Sequence, residues 1–357
     1  MSARLDALTA KLAERELGAL LVSNLVNVRW LTGFTGTNAA AVVGAGAPRF
    51  VTDFRYLTQS AEQVDGVWER EIGTDLLKRV VEGLPAGPLR LGFDDAHITV
   101  EQHAQLERLV AERDVELVAA GGLVEALRAV KDPDEIAKIR AAAALADAAF
   151  EEVVGAGLVG RTEREVALDL EIEMRRRGAQ GTSFSPIVAA GEHGASPHAV
   201  PRDVPIPAGT LVVIDWGAQL DGYASDCTRT VATGDLDPRD RAVYDTVLRA
   251  QEAALAAVRA GPTGQELDAI ARAIIDDAGH AEHFGHGLGH GVGMEVHEGP
   301  RLSKQRKDVL VAGNVVTVEP GIYVPGAVGV RIEDLVAVTA DGHEVLNGLP
   351  KTLRTVH

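Results

Sequence analysis

Residues 211–230 read LVVIDWGAQLDGYASDCTRT, and the fold and chemistry of the chain can be worked outward from this stretch. The aliphatic and β-branched run Leu211–Ile214 predicts a buried strand that ends in Asp215. Asp226 follows in the same stretch, and Gly222 between the two acids is a turn residue. A hairpin here would bring both carboxylates to one place. Taken alone, the pattern is more typical of a surface hairpin, so its interpretation depends on the rest of the chain.

Two further apolar strands of the same half end in or contain an acid. Val315–Val318 leads into Glu319, and Glu333 lies between Ile332 and a second apolar run. An ionised carboxylate buried without a partner costs several kcal/mol. Arg331 is the only cation within two residues of Glu333, and Glu319 has none that close. Two divalent metal ions would balance the four carboxylates, and this is the interpretation that we favour.

Histidines supply further candidate ligands. Residues 280–297 hold five of the 11 histidines of the chain, and glycines alternate with other residues from Gly285 to Gly293. This alternation favours an extended backbone over a helix. In an extended segment, His286, His290 and Met294 lie on one face and are expected to point into one cavity.

Two more histidines are candidates for proton transfer near neutral pH. His198 lies in a loop fixed by Pro197 and Pro201, and His297 lies in the sequence Glu-Val-His-Glu. An imidazole is the side chain whose charge changes most readily near pH 7.

Composition excludes several classes of protein. The 357 residues are 46% hydrophobic and 24% charged, as in a soluble protein of two unequal domains. The formal net charge of −17 disfavours a nucleic-acid partner, and the single cysteine, Cys227, excludes an internal disulfide and a cysteine-based zinc site. No apolar stretch reaches the roughly 18 residues of a membrane span. Without a secretory signal at the N-terminus either, we expect a cytoplasmic protein with no membrane partner.

Helix-start signals and strand-like runs along the chain predict two domains, at residues 1–125 and 126–357. Asp132, Pro133 and Glu135 form a strong start signal for a helix running to Gly155. Thr162 with Glu165, and Thr263 with Glu266, repeat the capping-box pattern ahead of two more helices. We therefore expect an α/β domain followed by a larger α+β domain that holds all the candidate residues. In the first domain, strands are predicted at residues 19–22, 39–43, 50–52, 89–93 and 115–118.

The second half resembles the pita-bread metallopeptidases, a family that contains methionine aminopeptidase, aminopeptidase P and prolidase. The resemblance rests on motifs in the right order, and it implies a pita-bread catalytic domain preceded by a smaller creatinase-type N-terminal α/β domain. The matching segments are 214–218 (IDWGA), 225–230 (SDCTRT), 286–293 (HGLGHGVG), 296–298 (VHE), 317–321 (TVEPG) and 330–334 (VRIED).

The resemblance also implies the ligands of two metal ions. Asp226 and Glu333 would bridge the ions, Asp215 would complete one, and His290 with Glu319 would complete the other. A site of many oxygens and one imidazole suits hard divalent ions, so Mn²⁺ is expected, with Co²⁺ or Zn²⁺ as substitutes. A hydroxide held between the ions would be the nucleophile.

Roles for the remaining site residues follow from the same resemblance. Glu319 would act as general base, and His198 or His297 would stabilise the oxyanion or orient the substrate. His286 and His297 would line a pocket for proline, with Tyr223 and Tyr323 as candidate walls. Arg331 is expected to fix Glu333 or the substrate backbone.

The expected substrates are peptides with proline as the second residue, and the expected assembly is a homodimer. Residues 29–36 (RWLTGFTG) and 53–56 (DFRY) resemble a small prokaryotic aminopeptidase P. Prolidase is the alternative, for which Arg301 or Arg306 would bind the free carboxylate of a dipeptide, although Gln305 occupies the aligned position. An inactive peptide-binding scaffold is disfavoured because every ligand type is present, which also argues against a creatinase.

Overall fold

The computed structural model describes residues 2–357, which form two compact units that divide between Arg128 and Ala129. The boundary that the sequence predicts after residue 125 falls inside the last helix of the first unit, Leu123–Arg128. Each unit has its own buried apolar cluster.

The first unit is built on one mixed sheet with the strand order β4-β3-β2-β1-β5-β6. The β1–β2 and β2–β3 pairs are antiparallel and the other pairs are parallel. The five predicted strands are confirmed, whereas β4 was missed because its sequence, EREI, is a polar and mostly exposed edge. The strands are β1 (Ala19–Val22), β2 (Ala39–Gly44), β3 (Arg49–Thr52), β4 (Glu69–Ile72), β5 (Leu89–Phe93) and β6 (Val115–Ala119).

Helices of the first unit cover this sheet through their apolar faces. The first of them buries Leu5, Leu8 and Leu12, which recur at helical spacing. The helices are α1 (Ser2–Glu14), α2 (Leu25–Thr32), α3 (Leu57–Gln63), α4 (Leu76–Glu82), α5 (Val100–Val110) and α6 (Leu123–Arg128).

Three helices of the second unit begin where the sequence predicts their caps, and the start of the helix Pro238–Ala256 was not predicted. Asp132, Thr162 and Thr263 each accept a hydrogen bond from the backbone three residues on and form a complete capping box. The helices are α7 (Pro133–Gly155), α8 (Glu163–Arg176), α9 (Pro238–Ala256) and α10 (Gly264–Asp277).

Strands of the second unit form several small sheets, with the orders β11-β10-β7, β12-β9-β8, β14-β13-β15-β18-β19 and β16-β17. The predicted strands Leu211–Ile214 and Val315–Val318 are confirmed as parts of β9 and β15, and the apolar run after Glu333 forms β18. The strands are β7 (Gly181–Thr182), β8 (Ile187–Ala190), β9 (Leu211–Trp216), β10 (Ala218–Leu220), β11 (Tyr223–Ala224), β12 (Cys227–Ala232), β13 (Gly289–Gly291), β14 (Glu298–Leu302), β15 (Val315–Val318), β16 (Gly321–Val324), β17 (Val328–Arg331), β18 (Asp334–Val338) and β19 (His343–Val345).

An aromatic contact fixes β9 against α7. The rings of Phe150 and Trp216 stack with centroids 4.2 Å apart, and the indole N–H of Trp216 donates to the carbonyl of Ala146 at 2.8 Å. Both rings are buried, so the strand that ends beside Asp215 has a rigid support. Among residues 2–357, no helix has the length and apolar character needed to cross a membrane.

Candidate metal centre

The two aspartates of the opening stretch are brought together by strand pairing. β9 and β12 pair antiparallel, with Asp215 opposite Thr228 and Trp216 opposite Cys227. The predicted turn lies between them at Asp221 and Gly222, both of which have positive φ, at the tip of the small β10–β11 hairpin.

Glu333 joins these aspartates. One carboxylate oxygen each from Asp215, Asp226 and Glu333 lie within 4.8 Å of one another, and all three side chains are buried. Thr228 holds Glu333 in place, since its hydroxyl donates to Oε2 at 2.7 Å and its carbonyl accepts from the Glu333 N–H at 3.1 Å. Asp215, Asp226 and Glu333, here called the acidic cluster, can therefore share a metal ion.

His290 and Glu319 lie beside the acidic cluster. His290 Nε2 is 3.2 Å from Glu319 Oε1 and 3.6 Å from Asp226 Oδ2. The other ring nitrogen, Nδ1, lies 3.1 Å from the carbonyl of Gly291 and is the atom that donates there. A histidine fixed by a backbone carbonyl through one nitrogen presents the other nitrogen as a metal ligand.

The glycines around His290 allow close backbone packing. A Cβ at Gly289 would overlap the backbone of Thr317, and one at Gly291 would overlap that of Gly299. Thr317 lies in β15 and Gly299 in β14, the two strands that pair with β13, so Gly289 and Gly291 have a steric reason.

Burial and mutual repulsion disturb the acids of the site. Burial raises the pKa of Asp226 well above its usual range, and the charge of Glu333 raises it further. Glu333 behaves in the same way, with its pKa raised by burial and by Glu319. Burial also raises the pKa of Asp215, although Arg331 opposes the shift. For Glu319, burial is outweighed by the contact with His290, which lowers the pKa to about 2.

Divalent cations fit this site. Asp215 Oδ1 is buried with no hydrogen-bond partner among residues 2–357, and an unpaired buried carboxylate oxygen is costly. The acidic cluster, Glu319 and an imidazole nitrogen form the mixed oxygen and nitrogen donor set that suits ions such as Mn²⁺. Such ions would relieve the repulsion that raises the pKa values of Asp226 and Glu333.

Arg331 contacts Asp215 directly, and it reaches Glu333, one of the two partners expected for it, through the Thr228 hydroxyl. Its Nη2 donates to Asp215 Oδ2 at 2.5 Å, its Nε donates to the Thr228 hydroxyl, and its Nη1 donates to Tyr323 Oη at 2.8 Å. Arg331 ends β17, and its side chain crosses to the end of β9, where Asp215 lies.

A cavity of about 890 Å³ opens onto these residues. Its wall includes the acidic cluster, His290, Glu319 and Arg331, and also the other predicted site residues, His198, His286 and His297. Arg301, Gln305 and Arg306 line it too. The predicted metal ligands and the predicted histidines and arginines thus line one cavity.

Other predictions for the cavity wall are wrong. Within the described residues, Met294, Tyr223 and Tyr323 are not part of the lining. Tyr223 Oη donates to Glu135 Oε1 at 2.9 Å and thereby supports the start of α7. The regular extended face expected for residues 286–294 is limited to β13, because the register shifts after His290.

His286 has partners at both ring nitrogens. Its Nδ1 lies 2.7 Å from the carbonyl of Gly287 and its Nε2 lies 2.9 Å from Tyr323 Oη. Because Arg331 donates to that hydroxyl oxygen, the Tyr323 O–H is free to donate to Nε2. Burial lowers the pKa of His286 and raises that of Tyr323 to about 12, consistent with a neutral pair.

Comparison with known families agrees with this geometry. The profile of metallopeptidase family M24 matches residues 137–340, which hold the acidic cluster, His290 and Glu319. The chain belongs to metallopeptidase family M24. The profile of the creatinase/prolidase N-terminal domain matches residues 4–130 of this M24 member. The expected fold, a pita-bread domain after a creatinase-type domain, is confirmed.

Related proteins cover nearly the whole M24 chain. An uncharacterized peptidase of Bacillus subtilis is 40% identical over 98% of this chain and 99% of its own length. A Xaa-Pro dipeptidase of Pyrococcus furiosus is 34% identical over 99% of this chain and 100% of its own length.

Solved structures include both kinds of Xaa-Pro peptidase. A Xaa-Pro dipeptidase from Bacillus anthracis matches with a TM-score of 0.94 and 37% identity, covering 99% of each chain. An X-Pro aminopeptidase from Thermotoga maritima matches with a TM-score of 0.88 and 34% identity, covering 96% of this chain and 98% of its own.

Sequence reasoning missed the side chains that orient the site of this M24 peptidase. Thr228 bonds Glu333, and Thr317 donates to Glu319 Oε1 at 3.0 Å. Thr317 lies two residues from Glu319, so its contact is local, whereas the contact of Thr228 with Glu333 joins residues 105 positions apart and no local pattern predicts it.

Proposed function

We propose that this metallopeptidase hydrolyses the peptide bond between a first residue and a following proline, and that Xaa-Pro dipeptides are its preferred substrates. One observation carries the proposal. The acidic cluster and two arginines, Arg301 and Arg306, line the same cavity. Metal ligands and an anchor for a free carboxylate are what cleavage of an Xaa-Pro dipeptide requires.

The proposed metal ligands are the acidic cluster, His290 and Glu319. The proposal is that they bind two divalent ions, with Mn²⁺ as the first choice. Bound divalent ions would polarise the scissile carbonyl and lower the pKa of water. Glu319, which lies beside His290 and the acidic cluster, would accept the proton of the attacking water. Arg331 would hold Asp215 in its ligand orientation.

Histidines on the cavity wall would act on the substrate. Burial and the charge of His290 lower the pKa of His297, so a neutral imidazole at position 297 would donate one hydrogen bond to the developing oxyanion. His198, on the same wall, would orient the substrate. His286 would contribute the face of its ring, because both its nitrogens already have partners.

The proline specificity follows from the chemistry of the bond. An Xaa-Pro bond has no N–H, so an enzyme that recognises its substrate as an extended strand loses a contact there. Recognition must come from the groups at the two ends of the substrate. In a dipeptide the carboxylate lies one residue beyond the scissile bond, and guanidinium groups bind carboxylates in a bidentate manner.

The dipeptidase interpretation is preferred to the aminopeptidase P interpretation that the N-terminal motifs favour. Gln305 stands where prolidases are expected to carry an arginine, yet Arg301 and Arg306 flank it on the cavity wall. The Bacillus anthracis and Pyrococcus furiosus proteins, both named Xaa-Pro dipeptidases, support this choice.

Aminopeptidase activity is the second candidate. The similarity to the Thermotoga maritima X-Pro aminopeptidase favours it. The volume of the cavity, about 890 Å³, would also accommodate a peptide longer than two residues.

Paired substrates distinguish the two candidates. The Mn²⁺-loaded protein is assayed with Ala-Pro and Ala-Pro-Ala, alongside Arg301→Gln, Arg306→Gln and the double variant. We expect the wild type to prefer Ala-Pro and at least one arginine variant to raise KM for Ala-Pro by about 10-fold or more, as loss of a charged hydrogen bond predicts. Lys304→Gln, which removes a cation from the same segment outside the cavity wall, is the matched control.

The outcomes separate the interpretations. Cleavage of Ala-Pro-Ala alone would support the aminopeptidase and contradict the dipeptidase proposal. Cleavage of neither peptide by a metal-replete sample would reject both and support a binding scaffold.

A further inference from the structure

Residues 197–201 form one wall of the cavity. They end the segment of residues 191–201, here called the loop, which begins with a short 3-10 helix, Gly191–Ala195, and connects β8 to the segment ahead of β9. Pro197, His198, Ala199, Val200 and Pro201 all line the cavity. Val200 is 77% exposed and marks the rim. The position of His198 relative to a substrate therefore depends on how this loop is held.

A single carboxylate holds both ends of the loop. Glu163 is 1% exposed. At one end its oxygens accept hydrogen bonds from Ala190 N at 3.0 Å and from His193 Nδ1 at 2.9 Å. At the other end they accept from Arg202 N at 2.9 Å and from the Arg202 guanidinium at 3.1 and 3.2 Å. Both oxygens of Glu163 are thus engaged with the loop.

Glu163 is well placed for this role because it starts a rigid helix. It is the first residue of α8, whose capping box uses Thr162 and Glu165. The cap therefore does not need the side chain of Glu163, and the helix N-terminus favours a negative charge there. Behind it, Val166 and Leu170 are fully buried, so the carboxylate is anchored in the core of the second unit.

The middle of the loop rests on the strand that carries Arg331. A Cβ at Gly329 would overlap the carbonyl of Gly194, which shows how closely the two backbones approach. Arg331 Nη1 also donates to the carbonyl of Pro197 at 3.2 Å. The loop thus lies between Glu163 at its ends and β17 beneath it, with His198 next to the contact at Pro197.

We propose that Glu163 is a positioning residue that fixes His198 on the cavity wall and so controls the rate of peptide cleavage without touching the substrate. The proposal rests on the proposed function, which assigns His198 to the substrate. Its physical basis is that a displacement of about 1 Å at a reacting centre can cost about 100-fold in rate. A glutamine at position 163 would turn one acceptor oxygen into an N–H₂ group facing other N–H donors.

The variant Glu163→Gln tests the proposal against Glu165→Gln, an identical change two residues along the same helix. Glutamine at position 165 retains an acceptor for the capping box, and the side-chain hydrogen bonds of Glu165 go to Thr162 and not to the loop. Backbone bonds from α8 to residues 202 and 204 persist in both variants. We expect Glu163→Gln to lower kcat for Ala-Pro by about 10- to 100-fold with a smaller change in KM, while its Mn²⁺ content stays normal. Glu165→Gln should keep kcat within about 2-fold.

A double-variant cycle shows whether Glu163 acts through His198. If it does, Glu163→Gln causes less than about a 2-fold further loss in a His198→Ala background. An equal loss in both backgrounds, or a wild-type kcat in Glu163→Gln, would overturn the proposal.

Hydrogen exchange tests, without any substrate, whether Glu163 holds the loop in place. In Glu163→Gln the amides of residues 192–200 are expected to exchange faster than in the wild type and in Glu165→Gln, because the loop loses its attachment. Unchanged exchange would overturn the positioning role even if the enzyme cleaves Ala-Pro. Faster exchange in a protein that cleaves neither test peptide would reject only the proposed function.

Discussion

Glu333 and Asp334 are adjacent in sequence but differ in how their charges are balanced. Asp334 accepts from the Arg229 guanidinium at 2.8 Å, from Lys351 Nζ at 2.6 Å and from Gln251 at 3.0 Å. Glu333 has a threonine hydroxyl and neighbouring carboxylates instead. Because adjacent side chains of an extended segment point to opposite faces, one acid faces cations of the protein and the other faces the cavity. The unmatched charge is the reason why Glu333, and not Asp334, is a proposed metal ligand.

Arg331 is the residue whose effect on the metal site can be measured directly. Arg331→Lys would lose the donor that fixes Asp215 while keeping a positive charge. We expect the affinity for Mn²⁺ to fall about 10- to 100-fold, as for other residues that orient a metal ligand. Isothermal titration with Mn²⁺ measures it. Tyr323→Phe, which removes another partner of Arg331 but leaves Asp215 in place, should change the affinity far less, and equal losses in the two variants would contradict this role for Arg331.

At the scale of elements, patterns within a few residues could be predicted from the sequence, whereas contacts between distant segments could not. Helix starts follow from residues within one turn, so the caps at Asp132, Thr162 and Thr263 could be predicted and are found. The acids at strand ends are also local patterns. The contacts of Glu163 with residues 190–202 and of Arg331 with Asp215 depend on segments far apart in sequence, so no local pattern predicts them.

The capping box of α10 allows a test of one local signal. Thr263→Ala removes the acceptor for the Glu266 N–H and is expected to destabilise the second unit by about 1 kcal/mol. Thermal unfolding followed by circular dichroism measures the loss. Thr263→Ser keeps the hydroxyl and should unfold at nearly the wild-type temperature. If the serine variant loses as much stability as the alanine variant, the methyl group of Thr263, and not its capping hydroxyl, is what stabilises the helix.

The lowered pKa of Glu163 is expected to make the stability of the protein depend on pH. Burial alone would raise its pKa, but Arg202, the amides of Ala190 and Arg202, and His193 together lower it from 4.5. A lowered folded-state pKa gives stability that is present above pH 4.5 and is lost as the pH falls through the folded value. In metal-free samples, the melting temperature of Glu163→Gln should therefore lie below that of the wild type at pH 7, and the gap should narrow below pH 4. A constant gap would contradict this electrostatic origin.

On the scale of the whole molecule, the candidate metal centre lies in one of two compact units. The acidic cluster and the cavity lie in the unit that begins at Ala129. The described part of the first unit, residues 2–128, is built around its own sheet and core and includes none of these residues. Because a ligand stabilises only the structure that binds it, metal should act on the two units unequally.

Calorimetry can measure how much Mn²⁺ stabilises each of the two units. At a free Mn²⁺ concentration of 100 times Kd, binding adds about 2.7 kcal/mol to the unit that holds one such ion. We expect the unfolding transition of the second unit to shift upward when Mn²⁺ replaces a chelator, while that of the first unit stays in place. Equal shifts of both transitions would mean that the metal acts outside the acidic cluster.

The most direct test of the account is the number of Mn²⁺ ions bound per chain, measured by equilibrium dialysis for the wild type and for Asp226→Ala. Asp226 lies in the acidic cluster and near His290, so its loss should weaken the whole site. We predict two ions per wild-type chain, and less than one in the variant together with lost cleavage of Ala-Pro. A wild-type chain that binds no Mn²⁺ in excess metal, or a variant that binds it normally, would contradict the proposal that metal ions balance these buried acids.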